Sequence, residues 1–194
     1  MVKRKIIVTT SHRPSPRTRT FVKELSSVLP FSVKLNRGKK TLTDLLIDAL
    51  TINANRLIVV HEKKGNPSAL KVYVIEDKKL KEYTTFKLVG VALWRELTNV
   101  SRVYNPESIA VEFLEEELAE LVEKITFSFN AKILYDENLK KEFDVIVSLK
   151  PRNNIVLLLF INPSVNKIVG PILKIKEVNR VFEYETRDTY YSRI

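Results

Sequence analysis

The chain has 194 residues, enough for one large domain or two small halves, and its 44% apolar and 29% charged content is that of a folded protein, not a disordered one. It has no Cys, which excludes disulfides and thiolate chemistry, and no apolar run near the ~20 residues that a membrane-spanning helix needs. Its net charge of +10 lies entirely in the first forty residues: eleven Lys and Arg stand there against the single acid Glu24 (11 − 1 = +10), while the rest balances 33 − 11 = 22 bases against 23 − 1 = 22 acids.

Lys5–Thr10 is β-branched and mostly apolar, which predicts a strand buried on both faces. Ser15 before Pro16 fits an N-cap with Pro at the first helical position. Phe21, Val22, Leu25, Val28 and Leu29 then recur at helical spacing until Pro30. Residues 31–35 read as a second strand, followed by the basic turn Asn36-Arg37-Gly38-Lys39-Lys40. Thr41 with Asp44 resembles a capping box that opens a second amphipathic helix, and residues 56–61 read as a third buried strand. This β-α-β-α-β alternation predicts an α/β fold with mixed, largely parallel sheets and flanking helices.

Both basic loops join the carboxyl end of a strand to the amino end of a helix. In a parallel sheet such loops share one edge, where open α/β sheets bind ligands. Cations at helix amino ends oppose the helix dipole, a conflict that a bound anion would relieve. The charge and its placement predict a polyanion-binding face. The alternative for any basic cluster is a solvated surface.

Further along, residues 69–76 and 83–91 read as strands with turns at 63–67 and 77–81. Trp94 is expected in the core or at a seam between halves, in preference to a base-stacking role. The polar stretch 99–108 is the best internal boundary. Residues 113–129 predict a helix whose other face is acidic (Glu112, Glu115, Glu116, Glu117, Glu120, Glu123) and solvated. Residues 143–149 and 155–161 are expected strands around a minor basic turn at 150–154; 172–175 and 180–185 are two more.

No phosphate-binding glycine loop, dinucleotide fingerprint or nucleophile elbow is present, and there are only two His. No metal site, cofactor or catalytic residue is expected, and the chain is read as a non-enzyme. The amino terminus carries charge without a long apolar stretch, so no signal peptide is expected and the protein is read as intracellular.

The segment Thr9-Thr10-Ser11-His12-Arg13-Pro14-Ser15-Pro16-Arg17-Thr18-Arg19-Thr20-Phe21, with Leu29-Pro30, Asn36-Arg37-Gly38-Lys39 and the later Val169-Gly170-Pro171, resembles the Brix-domain family. The likeness runs over the whole chain as one Brix domain, with halves at 1–98 and 99–194. It implies two similar α/β halves, each like the anticodon-binding domain of class II aminoacyl-tRNA synthetases. It also implies a role in pre-rRNA processing and ribosomal subunit assembly. The expected partners are rRNA or pre-rRNA, with guide-RNA ribonucleoproteins or ribosomal proteins as further ones and no membrane. The form expected is compact, archaeal, monomeric and cytoplasmic (nucleolar in a eukaryote). Ile172 stands where the family tends to have Arg, which directs RNA contacts to the first half.

The expected RNA-binding residues are Ser11, His12, Arg13, Ser15, Arg17, Thr18 and Arg19 in one loop and helix start, and Arg37, Gly38, Lys39 and Lys40 in the other. Removing Arg13 or Arg17 is expected to weaken binding and leave folding intact. The rival readings are a protein-interaction scaffold that turns the basic face to an acidic partner, and a nucleic-acid-processing enzyme.

Overall fold

A computed structural model describes residues 4–113 and 115–176. The first elements follow their local signals. Strand β1 (Lys5–Thr10) is buried along nearly its whole length. Helix α1 (Pro16–Val28) is capped by Ser15, whose side chain accepts the Thr18 N–H. Strand β2 (Ser32–Lys34) and helix α2 (Leu42–Thr51) follow, the latter with a reciprocal Thr41–Asp44 capping box. Strand β3 (Ala54–Lys63) closes the unit, and β1 pairs in parallel with both β2 and β3.

Beyond β3 the strands turn back directly. The two-residue turns Lys64-Gly65 and Asp77-Lys78 both have positive φ at each position, the geometry that matches strand twist in tight hairpins. They join β3 to β4 (Asn66–Glu76) and β4 to β5 (Lys79–Ala92), and these pairs are antiparallel.

The second part holds β6 (Ile109–Glu112), helix α3 (Ala119–Ser128), β7 (Lys132–Leu134), β8 (Val145–Arg152), β9 (Ile155–Asn162), β10 (Lys167–Ile168) and β11 (Ile172–Lys176). The strands of the described residues form one 11-stranded sheet in the order β2-β1-β3-β4-β5-β11-β9-β8-β6-β7, with β10 beside β9. That order has the same form from either end. Three outer strands run parallel (β2, β1, β3 and β7, β6, β8), and the inner ones are antiparallel. The expectation of largely parallel sheets is therefore corrected to one mixed sheet, parallel only at its two ends. Parallel pairing needs a long crossover, and tight hairpins join most of the other strands.

Helices α1 and α3 lie on one face over a continuous core. Phe21, Leu25 and Val28 share it with Val122, Ile125 and Phe129, above Phe86, Leu158, Phe160 and Leu173. Helix α2 covers the other face at the β1–β3 end, where Leu45 and Ala49 meet Ile7, Leu57 and Val59.

The expected helix over 113–129 is corrected at its start. Residues 109–112 form a buried parallel strand, 116–118 a 3-10 turn, and the α-helix begins at Ala119. Phe113 and Leu118 mimic helical spacing because both pack on the same core, one from a loop and the other from the 3-10 turn. Glu112, expected on the solvated acidic face, is buried and paired with Lys140 at 2.8 Å. Strand β8 runs through the expected turn residues Lys150, Pro151 and Arg152. The expected strand at 180–185 lies outside the described residues.

Trp94 sits in a 3-10 turn, where its backbone N–H donates to Glu24 at 2.9 Å and the Arg102 guanidinium lies 4.4 Å above its ring.

Candidate nucleic-acid interface

The two basic loops meet on one sheet edge, as the parallel pairing of β1 with β2 and β3 requires. The Leu35 N–H donates to the Val8 carbonyl at 2.9 Å, and Thr9 Oγ1 donates to the Leu35 carbonyl at 2.8 Å. His12 and Arg37 latch the loops together. The imidazole Nδ1 lies 3.3 Å from the Gly38 carbonyl, and Arg37 Nη2 lies 3.5 Å from His12 Nε2. This pattern fits an imidazole with its proton on Nδ1, which donates to Gly38 and accepts from Arg37. Gly38 takes φ +55, a left-handed turn conformation that glycine adopts without strain.

Between the loops lies a cleft of about 420 Å³, lined by Arg13, Arg19, Lys34 and Arg37 with Asn36 and Gly38, and by no carboxylate. Lys34 and Asn36 were not among the expected residues. Lys34 ends β2 and shows only its charge in the sequence; its place in the cleft follows from the β1–β2 pairing.

Arg37 is the unusual member. It is only 7% exposed, its Nε donates to the Lys40 carbonyl at 2.6 Å, and burial pushes its guanidinium below the usual arginine range. Arginine nevertheless remains charged in proteins. Among the described residues no carboxylate pairs with it. A buried charge without a counter-charge is costly, and an arriving anion would relieve that cost.

The remaining expected residues divide by what they touch. Arg13, His12, Arg19 and Lys39 are exposed, and Arg13 holds φ +51 at the loop tip. Thr18 is fully buried, and Ser15 Oγ, besides capping α1, donates to the Gly65 carbonyl at 2.8 Å. Both hydroxyls are thus occupied inside the protein. Ser11 donates its backbone N–H to the Val60 carbonyl at 2.8 Å, and Lys40 pairs with Asp48 at 2.6 Å. Arg17 is committed elsewhere: its two terminal nitrogens fork onto the Glu96 carboxylate, and Nη2 also donates to the Val91 carbonyl at 3.0 Å.

The expected conflict with the helix dipole is also met from within. Glu62, at the end of β3, accepts the Ser15 N–H at 2.8 Å and so places a carboxylate at the start of α1. That bond, helped by Thr18, Ser15 and Arg19, holds the Glu62 carboxyl below its ordinary range. Asp44 does the same for α2. The case for an anion site therefore rests on the cleft and its cations. Glu62→Gln is expected to destabilise the chain by about 1 kcal/mol, the scale of a lost helix cap, measured as a shifted urea midpoint with unchanged m.

Arg17 first, through its hydrogen bond, and then the Leu93 N–H push the Glu96 carboxyl down from 4.5 to about 2. A carboxyl depressed in the folded state stabilises above its unfolded value and loses that contribution as pH falls through the folded one. Stability is expected to fall between pH 4.5 and about 2. Thermal melts of Glu96→Gln should show a flatter pH dependence across that window; an unchanged profile would refute the Arg17–Glu96 tie.

The fold defines the class first: a mixed α/β protein that shares its fold with solved archaeal ribosomal-biogenesis and Imp4-like proteins. The crystal structure of a "probable ribosomal biogenesis protein" from Aeropyrum pernix K1 superposes with a TM-score of 0.79 at 28% identity, over 91% of this chain and 98% of that one. The archaeal Imp4-like protein Mil superposes at TM-score 0.63 and 20% identity, over 88% of this chain and 96% of that one, a likeness of fold alone. A "Probable Brix domain-containing ribosomal biogenesis protein" of Methanococcus maripaludis is 31% identical over 174 residues, 89% of this chain and 96% of that protein. The chain belongs to the Brix domain-containing ribosomal biogenesis proteins. An Aeropyrum pernix relative of the same name is 40% identical over 90 residues, 46% of this chain, so the match spans about half the length of that relative. No family model matches the chain.

Proposed function

We propose that the chain is an RNA-binding ribosome-biogenesis factor. It acts in pre-rRNA processing and subunit assembly without catalytic chemistry of its own, and holds RNA phosphates in the cleft between the two basic loops. The observation that carries this reading is Arg37: a buried cation with no carboxylate partner among the described residues, facing a cleft whose other charged residues are Arg13, Arg19 and Lys34. Backbone contacts of this kind position RNA without reading its sequence. The mirrored strand order supports a second part of the reading, that the chain is built of two similar α/β halves.

Fluorescence anisotropy on structured rRNA fragments tests the binding. Four engaged cations on a single strand give log K a slope of about −3 against log salt, at roughly 0.7 per phosphate. A slope near zero would refute the cleft as a phosphate site. Incubation of the same fragments with Mg²⁺ is expected to leave them intact.

A further inference from the structure

The net charge beyond residue 40 is zero, yet the fold sorts it by face. On the face opposite α1 and α3, the register sets Lys150 of β8 across from Leu157 of β9, and Leu157 across from Lys174 of β11. Arg152, Ile155 and Lys176 form the next row in the same way. Cross-strand partners point to one side of a sheet, and the alternate residues Leu149, Leu158 and Leu173 are buried in the core on the other. The four cations therefore make a grid, roughly 7 Å along the strands and about 10 Å across two of them, with Leu157 and Ile155 between. Lys87 of β5 adds a fifth cation on the same face, and all five are exposed. Lys174 lies over Gly90, whose Cβ position would be 3.7 Å from the lysine Cδ, an ordinary van der Waals contact. Among the described residues none of the five is in an ion pair.

Neither helix layer reaches this area. Helix α2 covers the β1–β3 end of the face. Among the described residues the sheet carboxylates of that face are held by other cations: Glu82 by Lys71 at 3.1 Å, and Glu112, near Ile146 at the β6 end, by Lys140 at 2.8 Å.

We propose that this open face of β5, β11, β9 and β8 is a second RNA-binding platform, which takes the phosphates of a single strand on its cation grid and rests the nucleosides on Leu157 and Ile155. The face has cations in two dimensions, a half-buried aliphatic strip and no aromatic residue in the grid. That chemistry suits a flexible polyanion with apolar faces, bound without base stacking or sequence readout. The site is independent of the loop cleft and draws on the second half of the chain.

The test uses the full chain and a fluorescein-labelled oligouridylate. Lys150→Gln/Arg152→Gln/Lys174→Gln/Lys176→Gln is expected to flatten the log–log salt slope by about 3, at roughly 0.7 per contact, with an unchanged melting temperature. An unchanged slope in a folded variant would overturn the platform. The variant Arg13→Ala/Arg19→Ala/Lys34→Ala reports separately on the cleft: a loss there alone leaves the cleft standing and removes the platform, and a loss in the grid variant alone does the reverse. If the grid variant fails to fold, 4-thiouridine crosslinks on the unmodified chain decide. Adducts on peptides from β8, β9 or β11 support the platform, and adducts confined to residues 11–40 overturn it. Oligoglutamate of equal charge should compete poorly against the loop variant. Equal competition would mean an acidic protein partner and refute the RNA assignment.

Discussion

Phe160→Ala is expected to destabilise the chain by about 3–5 kcal/mol, the range for emptying a fully buried aromatic site. Phe160 is completely buried, with its ring 6.0 Å from that of Phe129 at the end of α3. It also meets α1 through Gly170. A Cβ on Gly170 would lie 3.0 Å from both Phe160 Cδ2 and Val28 Cγ1, so the two side chains close over that glycine from opposite elements. One ring thus joins the two helices of the covered face, and removing it should loosen both parts of the chain together. Urea unfolding followed by Trp94 fluorescence and by far-UV circular dichroism is expected to give coincident midpoints in the parent and in the variant. Separate midpoints would show that the two ends of the sheet unfold independently. Gly170→Ala probes the same contact from the other side and should cost about 1–3 kcal/mol by overpacking.

The first sixty residues were legible because their signals are local. Ser15 before Pro16, Thr41 with Asp44, and the β-branched run of β1 each carry their own start, stop or period. Parallel pairing of β1 then brought the two basic loops to one edge, as the alternation predicted. The strands β6 and β7 were missed because four and three residues are too few to show a period, and Phe113 and Leu118 continued the α3 spacing backwards by accident of packing. The sense of the inner strands was missed for another reason: a hairpin and a crossover differ in the turn, and Lys64-Gly65 is a weak hairpin signal beside Asn-Gly. The partners that sort the candidate site were out of reach of any local rule. Glu62 lies 47 residues from Ser15, and Glu96 lies 79 residues from Arg17. No local pattern marks either acid; only the fold brings one to the start of α1 and the other onto the arginine fork.

That sorting changes what substitutions in the loops should do. Arg13→Ala/Arg19→Ala/Lys34→Ala is expected to weaken RNA binding about 100-fold at 0.1 M salt and to flatten the salt slope by about 2, since each contact with single-stranded phosphate contributes roughly 0.7. Each single change should weaken binding about fivefold, and to the same extent on unrelated RNA sequences. These three side chains line the cleft, Arg13 and Lys34 have no ion-pair partner among the described residues, and Arg19 adds an exposed donor to the Pro14 carbonyl at 3.2 Å and a weak attraction to Glu62, so the melting temperature should fall only slightly. Arg17→Ala should behave in the opposite way. Its loss leaves the Glu96 carboxylate without its fork and the Val91 carbonyl without its donor. Stability should fall by about 1 kcal/mol, the upper range for a partly exposed ion pair, while the salt slope stays within error of the parent. Lys141→Ala, an exposed change on the far part of the chain, should move neither quantity. Anisotropy titrations at four or more salt concentrations, run beside thermal melts, separate these cases. An Arg17→Ala protein that keeps its stability and loses a contact from the slope would return Arg17 to the phosphate site. A triple variant with the parent's slope would remove the cleft from RNA binding altogether.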